Sequence, residues 1–208
     1  MKVEIRKTAL AAAIGLLAGG AYADPLSWTE VGVGYLQADS GNDDVTAYDV
    51  RGGIGLGQLF HIQAGYTDGT ADNQGTGGSD YDFDGYDVRV GVHPSVGENT
   101  QAVVEAIYFD YSGEGSDEWD GWGVGFGVRH KMGDQFEMRS QIDYVQGTSD
   151  PGDEDFTETI FSIGGRYYWV PAFFTGVAVN IGGTSASSDL GGDVIRIDAG
   201  WSFGGDVM

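Results

Sequence analysis

The chain has 208 residues, a net charge of −22 and no cysteine. A chain of this length suits about one domain, and the lack of cysteine excludes a disulfide-stabilised secreted module. Thirty-two acidic residues against ten basic ones exclude nucleic acid as a partner, because binding to phosphates requires Lys and Arg.

The first 23 residues have the features of a secretory signal peptide. A basic start is followed by an apolar run from Thr8 to Ala18 and by the small-x-small cleavage site at residues 21–23. This run is too short to span a bilayer. We therefore expect residues 1–23 to be cleaved during export and residues 24–208 to form the mature domain.

The mature chain is built from ten segments of alternating apolar and polar residues, separated by turns or loops. Most segments are about 10–13 residues long, which is the length that a tilted β-strand needs to cross hydrocarbon. No window of comparable length shows a helical period. The segments lie near residues 26–38, 45–57, 59–68, 82–93, 99–111, 119–131, 135–146, 157–169, 172–182 and 193–203.

Short and long connections alternate along the chain. The longer ones are rich in Gly, Ser, Asp and Thr and lie at residues 39–44, 69–81, 112–118, 147–156 and 183–192. Short periplasmic turns and longer extracellular loops are typical of outer-membrane barrels. The pattern predicts an all-β fold, a closed antiparallel transmembrane β-barrel of ten strands. An eight-stranded barrel is the alternative, if two weak segments merge.

The two faces of the predicted strands differ in chemistry. In the fourth segment Tyr86, Val88 and Val90 share one face, while Asp87 and Arg89 share the other. With this phase, all six arginines of the mature chain lie on the polar face. Aromatic residues on the apolar face collect at both ends of the segments, as they do in the girdles that flank hydrocarbon. A soluble β-sandwich would not require its aromatic residues to be concentrated at the two ends of the strands.

On these features the chain resembles the porin-like group of small bacterial outer-membrane β-barrel proteins. Leu26–Tyr35 and Phe60–Tyr66 are similar to segments of small barrels from xanthomonad-type bacteria. Gly200–Phe203 resembles the aromatic signal that the barrel assembly machinery recognises, although five residues follow it here. The resemblance implies a location in the outer membrane of a Gram-negative bacterium, among lipid and lipopolysaccharide. It implies no shared catalytic motif.

The predicted inward face carries a cluster of charges. One interpretation is a constriction that selects small polar solutes. The other is an interior filled by ion-paired side chains, which keeps polar groups in a narrow barrel from being left unpaired. Inward glycines would leave space, so both interpretations stay open. The cluster consists of Glu30, Asp49, Arg51, Asp87, Arg89, Glu105, Arg129, Glu137, Arg139, Asp143, Arg166, Arg196 and Asp198.

The predicted extracellular loops are acidic and contain no Lys or Arg. Carboxylate oxygens are preferred ligands of Ca²⁺ and Mg²⁺, and lipopolysaccharide phosphates need the same cations. Asp80, Asp82 and Asp84 match the first half of an EF-hand loop, but Gly91 stands where that loop needs its bidentate Glu. We therefore expect at most weak divalent cation binding at these three residues, and no other cofactor.

The three histidines do not suggest an active site. His61 and His93 have the inward phase near the turn ends, and His130 lies at a turn. A general base needs a partner within hydrogen-bond reach, and the sequence identifies none. We therefore expect that the protein is not an enzyme.

Two functions remain after this reasoning. The acidic loops favour a structural or surface-interaction role outside the cell, and a narrow porin-like passive channel for small polar solutes is the alternative. The channel requires an open path past Arg51, Arg89, Glu105 and Asp198, whereas a surface protein allows side chains to block it. The oligomeric state stays open.

Overall fold

The computed structural model describes residues 26–39, 43–73, 80–113, 118–150, 154–182 and 193–203. The predicted signal peptide lies outside these residues. Across the described residues, no helix is long and apolar enough to cross a membrane.

The described part of the chain forms strands joined by turns. The strands are β1 (Glu30–Asp39), β2 (Asp43–Leu56), β3 (Phe60–Asn73), β4 (Tyr81–Val92), β5 (Ser95–Gly97), β6 (Thr100–Gly113), β7 (Glu118–Met132), β8 (Phe136–Asp150), β9 (Glu154–Val170), β10 (Phe173–Gly182) and β11 (Asp193–Ser202).

All of these strands except β5 form one closed antiparallel barrel. The ring closes where β1 pairs with β11, from Glu30 opposite Ser202 to Asp39 opposite Asp193. β4 pairs directly with β6, so β5 lies outside the ring as a short extra strand on β6. This closure pairs the backbone N–H and C=O groups of β1 and β11, which would otherwise be edge strands. Unpaired backbone groups would be costly in the hydrocarbon of a membrane. The prediction of a closed ten-stranded barrel is confirmed, and the eight-stranded alternative is wrong.

The barrel has two chemically distinct ends. We call the end with the short connections, where Glu30 pairs with Ser202, the turn end, and the opposite end the loop end. Gly57 and Gly133 open two of the short turns with φ angles of 68° and 69°. Glycine adopts this backbone conformation without the strain that a Cβ would cause. Because short turns face the periplasm in outer-membrane barrels, we predict that the loop end faces outward from the cell.

At the loop end the strands are longer than the sequence predicted. β3 continues to Asn73 and β4 begins at Tyr81, whereas the prediction placed residues 69–81 in a loop. The ladder between β2 and β3 runs unbroken from Asp43, which lies opposite Asn73. It can extend past the apolar band because the backbone N–H and C=O groups of two hairpin strands hydrogen-bond to each other. Several acidic residues assigned to loops therefore lie on paired strand ends.

The outward face carries the apolar side chains. Tyr48 and Trp122 are exposed towards the loop end, Phe60 and Trp169 are exposed towards the turn end, and aliphatic residues such as Val90 lie between them. This is the distribution that a lipid bilayer with two aromatic interfaces selects. The inward face, in contrast, carries the charges and most of the glycines.

Candidate functional site

The structure places the thirteen predicted lumen residues on the inward face and joins them in two networks of ion pairs. The middle network comprises Asp49, Arg51, Asp87, Arg89, Glu105, Asp143 and Arg196. The turn-end network comprises Glu30, Arg129, Glu137, Arg139, Arg166 and Asp198.

The middle network crosses the lumen between distant strands. Arg89 Nη1 on β4 donates to Glu105 Oε2 at 3.2 Å and to Asp143 Oδ2 on β8 at 3.0 Å. Gln141 Nε2 donates to the same two carboxylates at 2.8 and 2.7 Å. Each of these carboxylates therefore has a cationic and a neutral donor, which offsets the cost of removing it from water.

A second part of the middle network lies around Asp49. Arg196 Nη2 donates to Asp49 Oδ2 at 2.9 Å, and Arg51 Nε lies 2.8 Å from the same oxygen. Arg51 also reaches towards Asp87 on β4, with 3.7 Å between Nη2 and Oδ1. The guanidinium groups therefore link carboxylates on neighbouring strands into one chain of charges.

The turn-end network is centred on the fully buried carboxylate of Glu137. It accepts hydrogen bonds from Arg129 Nε at 2.8 Å, from Arg139 Nε and from the Tyr168 hydroxyl at 2.8 Å. Arg166 Nη1 donates to Glu30 Oε2 at 2.7 Å in the same layer. Buried charges of this kind are tolerated because each is paired and hydrogen-bonded.

Inward glycines face carboxylates on the neighbouring strand. Gly65 is opposite Asp87 in the β3–β4 register, and Gly125 is opposite Asp143 in the β7–β8 register. A Cβ added to Gly65 would lie 2.7 Å from Asp87 Oδ1, and one added to Gly125 would lie 2.6 Å from Asp143 Oδ1. At these two positions the carboxylate of the neighbouring strand occupies the volume that a side chain would take.

The residues just before β1 enter the turn end of the lumen, although the sequence placed them in the first strand. Trp28 is only 3% exposed. Its ring stacks on His61, with 3.6 Å between ring centroids and 12° between planes, and lies 5.2 Å from the His93 ring. The Arg129 guanidinium carbon lies 4.4 Å from the Trp28 ring centroid, a cation–π contact. Trp28 Nε1 donates to Gln101 Oε1 at 3.1 Å.

Hydrogen bonds fasten this N-terminal segment to the barrel wall. Ser27 Oγ donates to the Phe203 carbonyl at 2.8 Å, and Phe203 N donates to the Thr29 carbonyl at 2.7 Å. A Cβ at Gly53 would lie 2.7 Å from the Trp28 carbonyl oxygen, so glycine allows the close approach. Sequence reasoning missed this segment, although Trp28 shares the inward phase of Glu30.

The histidines have partners that the sequence did not identify. His61 Nε2 lies 2.8 Å from Glu105 Oε1, and both side chains are buried. His130 Nδ1 lies 2.8 Å from Thr100 Oγ1. The inward His61 and His93 contribute to the stack around Trp28, and the absence of catalysis stays a prediction.

A cavity of about 220 Å³ lies in the lumen among the charged residues. Its wall includes Arg51, Arg89, Glu105 and Asp198, with Trp28 at its turn end. Towards the loop end the lumen becomes apolar, where Ala38, Val45 and Ala71 are buried and pack against partly buried residues that include Phe83. The lumen therefore has three sections. The stacked rings of Trp28, His61 and His93, which we call the aromatic closure, lie at the turn end, the charged cavity lies in the middle, and an apolar section lies towards the loop end.

The three carboxylates predicted to bind a divalent cation are not gathered into a site. Asp82 and Asp84 lie two residues apart on the extended strand β4, and Asp80 immediately precedes it. Side chains two residues apart on a strand are separated by roughly 7 Å. Asp84 accepts a hydrogen bond from the Tyr66 hydroxyl at 2.9 Å. No group of three or more His, Cys, Asp or Glu residues in the described ranges could hold a metal ion.

The chain is similar to solved structures of channels and of a translocator domain. An outer membrane channel from Pseudomonas putida F1 has a TM-score of 0.56 at 11% identity, with 89% of this chain and 99% of that chain covered. The KdgM porin gives 0.47 at 11% identity, with 83% and 99% covered. The translocator domain of the autotransporter NalP from Neisseria meningitidis gives 0.48 at 11% identity, with 97% and 96% covered. These likenesses concern the fold.

No curated protein sequence is a significant match to the chain. A family does match, and it covers most of the sequence. The pattern of the outer membrane protein beta-barrel domain matches residues 9–169. Together with the closed barrel and its apolar outer face, this match shows that the chain belongs to the outer membrane protein beta-barrel domain family.

Proposed function

We propose that this protein is a narrow porin-like passive channel for small polar solutes. The carrying observation is the cavity of about 220 Å³, whose wall contains Arg51, Arg89, Glu105 and Asp198. The channel hypothesis places its path past these four residues. A polar wall lets a solute exchange water for protein hydrogen bonds, which lowers the cost of crossing the membrane.

An aromatic stack lies across the turn end of the proposed path. Trp28, His61 and His93 stack across the lumen there, and each of these side chains is buried. A solute leaving towards the periplasm must pass beside this stack or displace the N-terminal segment. The proposed channel therefore has a low conductance set by residues 26–29.

The test is single-channel conductance of the refolded mature protein in a planar bilayer. We expect small, stable current steps. Arg89→Ala and Glu105→Gln should each change the step size, because both groups border the cavity. Val90→Ala is the matched control, since Val90 follows Arg89 on β4 but faces outward and is 51% exposed. Silence from protein that circular dichroism shows to be folded would remove the channel proposal.

A second function, a surface interaction through the acidic loop end, has its own supporting observation. Asp44 lies directly opposite Asp72, and Asp68 directly opposite Asp84. Like charges in directly opposed positions of a β-ladder destabilise it. Divalent cations shared with lipopolysaccharide phosphates would relieve this repulsion. We propose that such bridging attaches the loop end to the outer leaflet.

The bridging proposal is tested by thermal unfolding in vesicles that contain lipopolysaccharide. Ca²⁺ should raise the unfolding temperature of the wild type and have a smaller effect on the double variant Asp44→Asn/Asp72→Asn. Glu98→Gln/Asp134→Asn, which removes two exposed carboxylates at the turn end, is the control. An equal Ca²⁺ effect on all three proteins would exclude bridging at the loop end.

A further inference from the structure

The carboxylates of the lumen are more deeply buried than the side chains of Arg51, Arg89 and Arg139. Each of the seven acidic side chains in the two networks is at most 10% exposed. Five of them lie opposite a glycine on the adjacent strand, so that the carboxylate occupies the volume of the missing side chain. The pairs are Gly34 with Asp49, Gly65 with Asp87, Gly91 with Glu105, Gly125 with Asp143, and Gly176 with Asp198.

Three of the six arginines, in contrast, are partly exposed. The side chains of Arg51, Arg139 and Arg89 are 38%, 25% and 19% exposed. All three border the cavity, together with Arg166 and Arg196. The cavity wall contains all six arginines of the two networks but only three of their seven carboxylates, those of Glu105, Asp143 and Asp198, so a solute in the cavity meets more guanidinium groups than carboxylates.

The charges that line the cavity have the opposite net sign to the two networks as a whole. The two networks contain seven carboxylates and six guanidinium groups, which is a net charge of −1. Coulomb energy falls with distance, so the nearest groups dominate the interaction with an ion in the cavity. The planar guanidinium fork also matches the oxygens of a carboxylate or phosphate.

From this geometry we infer that the lumen prefers small anions, and that small carboxylates bind in the cavity between Arg51, Arg89 and Arg139. The inference rests on the proposed channel and names its solute class. A volume of about 220 Å³ is below the range of about 300–1,000 Å³ found for drug-sized ligands. The occupant is therefore a small organic acid. The whole chain has a net charge of −22, which on its own would predict preference for cations.

The first measurement is the reversal potential of the refolded protein in a planar bilayer under a KCl gradient, repeated with potassium acetate. We expect chloride and acetate to be more permeant than potassium. Arg51→Gln should lower the anion-to-cation permeability ratio by about threefold or more, and Arg51→Lys, which keeps the charge, should largely preserve it. Val90→Ala should leave the ratio unchanged.

The outcomes separate this inference from the channel proposal. Conductance with a preference for potassium overturns the anion inference and leaves the channel standing. Folded protein without conductance overturns the channel, and calorimetric titration of that protein with malonate then decides the inference. Binding that Arg51→Gln/Arg139→Gln abolishes would support it, and no binding to the wild type would overturn it.

Discussion

The middle and the turn end of the lumen are built from the same residue types but differ in how fully they are packed. At the turn end, Glu137, Tyr168 and Phe174 are almost completely buried. In the middle, Arg51 and Arg89 pair with buried carboxylates but stay partly exposed to the cavity. Ion pairs between the same residue types thus mainly stabilise the barrel at the turn end and line a solute site in the middle, which Arg139 of the turn-end network also borders.

The largest expected effect comes from breaking the turn-end network at its centre. Glu137→Gln removes the charge that pairs with Arg129 and Arg139 in a fully buried position. An uncompensated buried charge costs about 3–5 kcal/mol. Urea unfolding of the refolded protein in lipid vesicles should show this loss of unfolding free energy. Glu98→Gln, at an exposed position of the same end, should show no measurable loss.

Removing the aromatic closure should affect both stability and conductance. Trp28→Ala deletes the ring that stacks on His61 and that Arg129 contacts. Truncation of a buried Trp costs about 3 kcal/mol or more, and the emptied volume widens the turn end. Single-channel steps should therefore increase in size. Trp169→Ala is the control, because Trp169 lies at the same end but faces outward and is 61% exposed. Equal step sizes in wild type and Trp28→Ala would place the constriction elsewhere.

A smaller effect tests whether glycines hold the carboxylates in the wall. Gly125→Ala would bring a Cβ within 2.6 Å of Asp143 Oδ1, so the carboxylate must move. Overpacking of this kind costs about 1–3 kcal/mol. Displaced towards the cavity, Asp143 would also lower the anion preference in a reversal-potential measurement. Gly52→Ala is the matched control, because the nearest atom to a Cβ there is 3.8 Å away. Unchanged selectivity in a destabilised Gly125→Ala would argue against this role of the glycines.

The fold was predictable from the sequence because a strand has a period of two. That period assigned Tyr48 outward and Arg51 inward before any pairing was known, and the alternation of short and long connections gave the strand count. Strand ends at the loop side were misplaced because a polar, glycine-rich segment such as residues 69–73 can pair as well as loop.

The candidate site was predictable only as a set of inward charges. Partnerships such as Arg89 with Asp143 depend on strand register and on rotamers that cross the lumen, and periodicity determines neither. The position of Trp28 depends on contacts with His61 and Arg129, which come from distant parts of the chain. A large aromatic residue on the charged face was the signal available in the sequence.

The smallest expected stability change is the most informative about function. Arg51→Gln removes a partly exposed charge, and Asp49 keeps Arg196 while Asp87 keeps Arg89. The loss of unfolding free energy should therefore be below about 1 kcal/mol, as for other solvent-accessible ion pairs. If the arginines of the middle network contact solutes in the cavity, the same substitution should change ion selectivity strongly. If it exists to hold the barrel together, Arg51→Gln should instead destabilise the protein as much as Glu137→Gln does, and selectivity should not change. The unfolding free energy and the reversal potential, measured on the same two variants, distinguish these cases. Substitution of a residue that contacts the solute should change selectivity with little loss of stability.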